Sequence, residues 1–138
     1  MWVSRRTDYA SRAVLALALA DGGPLKLEQL AGQAEAPRSV LEQVMPVLRA
    51  AGLVRSERGP AGGYRLNADA SEITLERVVR LFQGQLAPIA YATRRNPEPC
   101  PEIVERSLKE AWSDVRDATI EILGRTTFAD LAARARAA

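Results

Sequence analysis

The sequence of 138 residues contains no histidine and a single cysteine, Cys100. Without histidine the chain cannot build a Ser-His-Asp or Cys-His catalytic arrangement, nor a zinc site made of histidines and cysteines. One cysteine cannot form an internal disulfide, which excludes a small secreted fold held together by disulfides. Aromatic residues make up only 5% of the chain, too few to predict a base-stacking surface for single-stranded nucleic acid. We therefore expect no catalytic site and no metal site.

Long hydrophobic runs are also absent. The longest uncharged apolar run covers the eight residues 13–20, whereas a helix that crosses a membrane needs about 20. Arg5 and Arg6 ahead of this run resemble the start of a signal peptide, but Asp8 and Arg12 interrupt the approach. We therefore predict a cytoplasmic protein without a membrane partner.

The charge of the chain is nearly balanced but unevenly distributed. There are 19 basic and 17 acidic residues, which gives a net charge of +2. Residues 1–66 hold nine basic and six acidic residues, a net +3, and residues 67–138 hold ten and eleven, a net −1. The basic excess in the first half is almost entirely arginine, which indicates a polyanion as partner.

Hydrophobic periodicity predicts a mainly α-helical fold with one small β-hairpin. Helices are expected over residues 7–20, 27–34, 37–51, 74–84 and 102–123, because apolar residues recur there at helical spacing. Strands are expected over residues 53–57 and 64–66, joined by a glycine-rich turn. Residues 85–101 contain four prolines and are expected to form a loop, and residues 127–131 a small capped turn of helix.

The third predicted helix begins with side chains suited to reading DNA bases. In a helix-turn-helix, the second helix of the motif enters the major groove and its N-terminal residues face the base edges. Arginine can bind guanine, glutamine can bind adenine, glutamate can accept from cytosine, and serine is adaptable. We predict contacts with double-stranded DNA from this helix; the residues are Arg38, Ser39, Val40, Glu42 and Gln43. An ordinary solvated helix face is the alternative.

The hairpin turn adds a second candidate contact with DNA. Arg58 is followed by Gly59, Pro60 and, two residues later, Gly62, so a long cation stands beside a nearly bare backbone. Such a turn can enter a minor groove or lie against phosphates. A tight turn without a ligand is the alternative. The segment is not a nucleotide-binding loop, because it lacks the Gly-Lys-Ser/Thr ending and does not open a helix.

The last long helix carries an apolar seam that repeats in heptads. Its members step by 4, 3, 4, 3 and 4 residues; they are Val104, Leu108, Ala111, Val115, Ala118 and Ile122. A seam of this kind pairs with another helix, and a chain this small offers it no internal partner. We therefore predict a homodimer and three parts: a winged helix-turn-helix DNA-binding domain over residues 1–84, a loop over 85–101, and a dimerisation helix with a C-terminal turn over 102–138.

Residues 41–43, 48–54 and 58–66 together resemble the Rrf2 family of bacterial winged-helix transcription regulators. The resemblance extends from Tyr9 to Leu131, essentially the whole chain. It implies a homodimer with a recognition helix in each major groove and wings that reach the minor groove. It also implies base contacts near Ser39, Glu42, Gln43 and Arg58.

Many family members bind an iron–sulfur cluster through three cysteines spaced Cys-x5-Cys-x5-Cys and a following histidine. This chain lacks most of these ligands. Cys100 falls at the middle cysteine, the first falls near Tyr91, the third at Arg106 and the histidine at Lys109. A cluster needs several thiolate or imidazole ligands. We therefore expect no cluster and no other cofactor.

Cys100 is also a candidate redox sensor. It directly precedes the long helix, whose positive N-terminal end is expected to lower the pKa of the thiol and make the thiolate more available. An inert thiol is the alternative.

The sequence thus predicts a sequence-specific DNA-binding transcription regulator that acts as a homodimer, with Cys100 as a candidate redox sensor. Two alternatives stay open. One is a winged-helix module that binds another protein, with weak or no DNA binding. The other is a regulator that encloses a small-molecule effector near Tyr91 and Trp112.

Overall fold

A computed structural model of the chain describes residues 3–95 and 97–138. The helices are α1 (Arg5–Leu19), α2 (Leu27–Ala34), α3 (Arg38–Ala50), α4 (Leu75–Gln83), α5 (Lys109–Arg125) and α6 (Phe128–Ala137). Strands β1 (Val54–Glu57) and β2 (Gly63–Leu66) form an antiparallel hairpin between α3 and α4. The prediction of a mainly α fold with a hairpin wing is confirmed.

Helices α1 and α4 begin at short polar side chains that cap free backbone N–H groups. The Ser4 hydroxyl accepts from the Thr7 backbone N–H at the start of α1, at 3.1 Å. The Thr74 hydroxyl does the same for Arg77 at the start of α4, at 3.2 Å. Gly84 ends α4 with a positive φ of 71°, a conformation that glycine adopts without steric cost.

Helix α1 lies at the centre of the core and contacts α2, α3, α4 and α6. Its inner side chains, such as Val14, belong to the same buried cluster as Leu41 and Leu48 of α3, and all three are fully buried. Because the buried face of α3 is fixed in this way, its other face must point to solvent. The packing of α1 therefore determines which side chains α3 can present to a ligand.

The hairpin is anchored to the helices by a third extended segment. Leu25 and Tyr64 exchange two backbone hydrogen bonds, at 2.9 and 2.8 Å. Gly63 has a φ of +145°, and a Cβ there would lie 2.6 Å from the Leu25 backbone, so the close approach requires glycine. The wing is therefore held in a defined position beside α2 and α3.

The C-terminal segment differs from the prediction of a small capped turn. It forms the ten-residue helix α6, which begins with reciprocal hydrogen bonds between Thr127 and Asp130, at 3.0 and 3.1 Å. Phe128 and Ala132 are buried in the same core as α1. Helix α6 therefore packs on the first part of the chain, although the sequence grouped it with the long helix.

The bounds of the long helix also differ from the predicted residues 102–123. Residues 102–103 are helical, Val104–Leu108 forms a π-helical segment, and α5 continues from it to Arg125. Gly124 therefore lies inside the helix and does not end it as predicted. Within residues 3–95 and 97–138, no helix is both long and apolar enough to cross a membrane.

Candidate nucleic-acid interface

The outer face of α3 presents most of the predicted base-reading side chains. Arg38, Ser39, Glu42 and Gln43 are exposed, and the side chains of Ser39 and Gln43 make no hydrogen bond to any described residue. Val40 differs, because it is half-buried and packs against the core. The other four share one accessible surface, and a DNA contact from Val40 stays a prediction.

Arg38 is held by two carboxylates. Its Nη1 lies 2.8 Å from Glu28 Oε1 of α2, and its Nε lies 3.2 Å from Glu42 Oε1. All three side chains are more than half exposed, and exposed ion pairs of this kind contribute about 0–1 kcal/mol. A guanine or a phosphate can therefore replace either carboxylate at little cost. Sequence reasoning missed Glu28, since only the tertiary contact between α2 and α3 brings it to Arg38.

Arg58 is the cation at the tip of the wing. Arg58, Gly59 and Pro60 are exposed, and Arg58 forms no ion pair with any residue that the structure describes. Gly62 is buried, and a Cβ there would lie 2.2 Å from the Glu57 carbonyl oxygen. Gly62 therefore shapes the turn and is not placed to contact DNA, a correction to the predicted set.

Two further arginines extend the basic surface between α3 and the wing. Arg49 Nη1 donates to the Ser56 hydroxyl at 3.3 Å, which links the end of α3 to β1. Arg55 is exposed on β1, 3.7 Å from Glu57. Neither residue was in the predicted set. Arg55 could have been found from the alternation along β1, where Val54 is buried and the next side chain faces solvent.

The predicted heptad seam forms an exposed apolar stripe along the long helix. Leu108, Val115 and Ile122 are 50%, 46% and 52% exposed. Ala111 and Ala118 between them are exposed as well, and Val104 at the start is half-buried. Helix α5 packs on α4 and on the turn Ala90–Ala92 with its other side. The stripe is therefore free for a partner.

The Cys100 thiol is hydrogen-bonded to a carboxylate. Its Sγ donates to Glu105 Oε2 at 3.0 Å, and Lys109 Nζ lies 2.8 Å from the same carboxylate. The hydrogen bond to Glu105 raises the pKa of the Cys100 thiol, because the bond stabilises the protonated sulfur. This direction is opposite to the one expected from the helix N-terminus. The thiol is therefore less available as a thiolate than the sequence suggested.

The family's cluster positions carry cations that are already paired. Counting six residues back from Cys100 gives Arg94, which corrects the earlier placement near Tyr91; Arg94 lies 2.8 Å from Asp117. Arg106 pairs with Glu102, and Lys109 with Glu105. Among the residues that the structure describes, no group of three or more His, Cys, Asp or Glu side chains could hold a metal ion. The residues present do not fit an iron–sulfur cluster.

Residues 3–134 match the Rrf2 family, which is described as iron-dependent transcriptional regulators. The chain is 33% identical over 133 residues to the HTH-type transcriptional regulator CymR of Bacillus subtilis, covering 96% of this chain and 90% of that protein. Over 80 residues it is 41% identical to the HTH-type transcriptional regulator IscR of Photobacterium profundum, covering 57% of this chain and 46% of that protein.

Solved structures show the same architecture. The structure of CymR, the global cysteine regulator of B. subtilis, superimposes with a TM-score of 0.83 at 32% identity, covering 97% of this chain and 98% of that one. IscR of T. potens gives a TM-score of 0.76 at 28% identity, covering 98% of this chain and 88% of that one. These are transcription regulators and not enzymes. The chain therefore belongs to the Rrf2 family of DNA-binding transcription regulators.

Proposed function

We propose that two copies of this chain form a homodimer that binds a two-fold symmetric DNA site. The N-terminal half of α3 reads base edges in the major groove, and the wing contacts the neighbouring minor groove or its phosphates. One observation carries the proposal: Ser39, Gln43 and the Arg38–Glu42 pair share an exposed surface beside a wing whose Arg58 has no acidic partner in the described chain.

The residues of this surface divide between base reading and phosphate binding. Gln43 matches the donor and acceptor pattern of adenine, and Arg38 matches guanine once it leaves Glu28 or Glu42. Arg58 and Arg49 have no carboxylate partner among the residues that the structure describes, so they are suited to phosphates, which carry no sequence information. Gln43 and Arg38 therefore support sequence specificity, and Arg58 and Arg49 support affinity for DNA of any sequence.

The apolar stripe of the long helix supports the dimer. Three large apolar side chains, Leu108, Val115 and Ile122, each leave about half of their surface in water. Removal of such apolar surface from water favours association. A second copy presents the same heptad spacing, so the two stripes can interdigitate as knobs into holes.

The proposed regulator works without an iron–sulfur cluster, since only one thiol is present at the family's ligand positions. A protein that regulates transcription acts where the genome is, so we place it in the bacterial cytoplasm. A module that binds another protein through the same surface is the competing function. The DNA experiment below separates the two.

The test is selection of double-stranded DNA from random sequence by the purified protein. We expect enrichment of an inverted repeat whose half-sites lie about one helical turn apart, because a two-fold dimer places its two α3 helices at that spacing. Failure to enrich any sequence, with a folded dimeric protein, would favour the protein-binding module.

The dimer is tested with a double variant, Leu108→Glu with Val115→Glu, in sedimentation experiments. We expect monomers, because two charges per chain would enter the apolar seam. Glu110→Gln is the matched control, since this exposed residue of the same helix is not a seam position. A monomeric wild-type protein at micromolar concentration would contradict the proposal.

A further inference from the structure

An open cavity of about 490 Å³ lies between the C-terminal end of α4 and the middle of α5. Its lining combines four arginines with an apolar floor: Arg80, Arg94, Arg95, Arg116, Leu86 and Ile120. No carboxylate of the described residues contributes to the lining. The volume falls within the range of about 300–1,000 Å³ that is typical of small-molecule sites.

The arginines of the cavity are only partly neutralised by carboxylates of the described residues. Arg94 and Arg116 share a single carboxylate oxygen of Asp117, at 2.8 and 2.9 Å. Arg80 pairs with Glu76 at 2.8 Å. Arg95 forms no ion pair within the described residues. Four guanidinium charges against these two carboxylates leave the cavity with a net charge of +2.

One of these cations is held rigidly. The Arg116 side chain is only 14% exposed, and its Nη1 donates to the Ala92 carbonyl oxygen at 2.6 Å. A guanidinium has five N–H donors, and the contacts to Ala92 and Asp117 leave others available. Because Arg116 is already fixed, a ligand would restrict this side chain little further when it binds.

The floor of the cavity favours an organic ligand. Leu86 is 3% exposed and Ile120 is half-buried, and both line the cavity together with the arginines, so part of its lining is apolar. A cavity of this volume with apolar lining residues is larger than a single inorganic ion would fill. Carbon atoms can cover the floor while oxygens face the arginines.

We propose that this cavity binds a small organic dianion, whose carboxylate or phosphate oxygens contact Arg95 and Arg116. Both groups accept two parallel hydrogen bonds from a guanidinium, which gives strong and directional contacts. Two negative charges balance the net charge of the site. The ligand is thus recognised by its charge and compact size, and its carbon skeleton lies on Leu86 and Ile120.

The position of the site suggests an effector. Arg80 belongs to α4, which packs on the central helix α1, and Arg116 belongs to α5, which carries the apolar stripe. A ligand that contacts both helices restricts the placement of the DNA-reading unit relative to the long helix. Only this regulatory consequence rests on the proposed function; ligand binding itself does not.

The binding test is an NMR titration of the ¹⁵N-labelled full-length protein, following the arginine Nε–Hε resonances at constant pH and ionic strength. The probes are succinate, glycerol 3-phosphate and succinamide, an uncharged analogue of succinate. We expect saturable shifts with at least one dianion and none with succinamide. The preferred dianion identifies carboxylate or phosphate as the recognised group.

Arg95→Gln is the decisive variant, because this side chain makes no described ion pair and its loss should leave the fold intact. We expect its affinity for the preferred dianion to fall about tenfold, the size typical of one lost charge-assisted hydrogen bond. Arg125→Gln is the matched control, since Arg125 is an exposed arginine of α5 that pairs with Glu121 and does not line the cavity. The control should bind like wild type.

Three results would overturn the site: no saturable shift with either dianion, equal shifts with succinamide, or equal losses in Arg95→Gln and Arg125→Gln. Contacts between these arginines and acidic residues of a second copy, detected as cross-peaks between differently labelled chains, would overturn it as well. DNA affinity with and without the dianion is measured separately. An unchanged DNA affinity with a bound dianion would refute only the regulatory role.

Discussion

Replacing Arg58 by alanine should weaken DNA binding through lost charge and not through lost base recognition. Arg58 is exposed at the wing tip and has no ion pair to any described residue. In contrast to Arg38, it therefore breaks no internal contact when it binds a phosphate. Its full charge is available to displace counterions from DNA.

The magnitude follows from the number of phosphates neutralised. Each phosphate contact contributes about 0.9 to the slope of log K against log salt concentration. A dimer carries two copies of Arg58, so the variant should have a slope flatter by about 1.8. The loss of affinity should be largest at low salt, and it should be similar for specific and nonspecific DNA.

The assay is fluorescence anisotropy with a labelled operator and a scrambled duplex at salt concentrations from about 50 to 200 mM. Arg134→Ala is the matched control, because it removes the same charge from an exposed position on α6, a helix that packs against α1. An unchanged salt slope in Arg58→Ala, or an equal change in Arg134→Ala, would refute the assignment of the wing.

Three further predictions concern the cofactor, the thiol and the C-terminal helix. Protein purified without oxygen should be colourless and contain no stoichiometric iron or sulfide; a brown preparation would contradict the cluster-free proposal. Glu105→Gln should lower the pKa of Cys100 and speed its alkylation at mildly alkaline pH, because a neutral amide replaces the carboxylate that favours the protonated thiol; Glu110→Gln should not. Thr127→Ala should lower the free energy of unfolding by about 1 kcal/mol in denaturant titrations, since Thr127 caps α6. Thr119→Ala, within α5, should lower the free energy of unfolding by less.

The first four helices and the hairpin were predictable because their apolar residues follow one period and their ends carry clear signals. Leu41 and Leu48, spaced seven apart, are both fully buried, and Thr74 and Gly84 bound α4 as predicted. The outer face of α3 followed from the same periodicity, since residues that do not pack must face solvent. Val40 is half-buried and therefore less accessible than the four exposed residues predicted with it.

The remaining features depend on tertiary contacts that no local pattern encodes. Glu28 meets Arg38 only after α2 and α3 pack together. Helix α6 has few large apolar residues, so its length could not be read from periodicity, yet Phe128 anchors it in the core. The pKa of Cys100 depends on one side chain five residues away, whose rotamer the sequence does not reveal.

The central claim is that α3 of a symmetric dimer reads DNA bases, and Gln43→Ala tests it most directly. The measurement is the affinity of wild type and variant for a selected operator and for each of its single-base variants. Loss of a good base contact removes about 1–3 kcal/mol of discrimination, so we expect relaxed specificity at one base pair in each half-site, with an almost unchanged salt slope. A uniform loss of affinity at all positions, or an effect in only one half-site of a symmetric operator, would contradict the account.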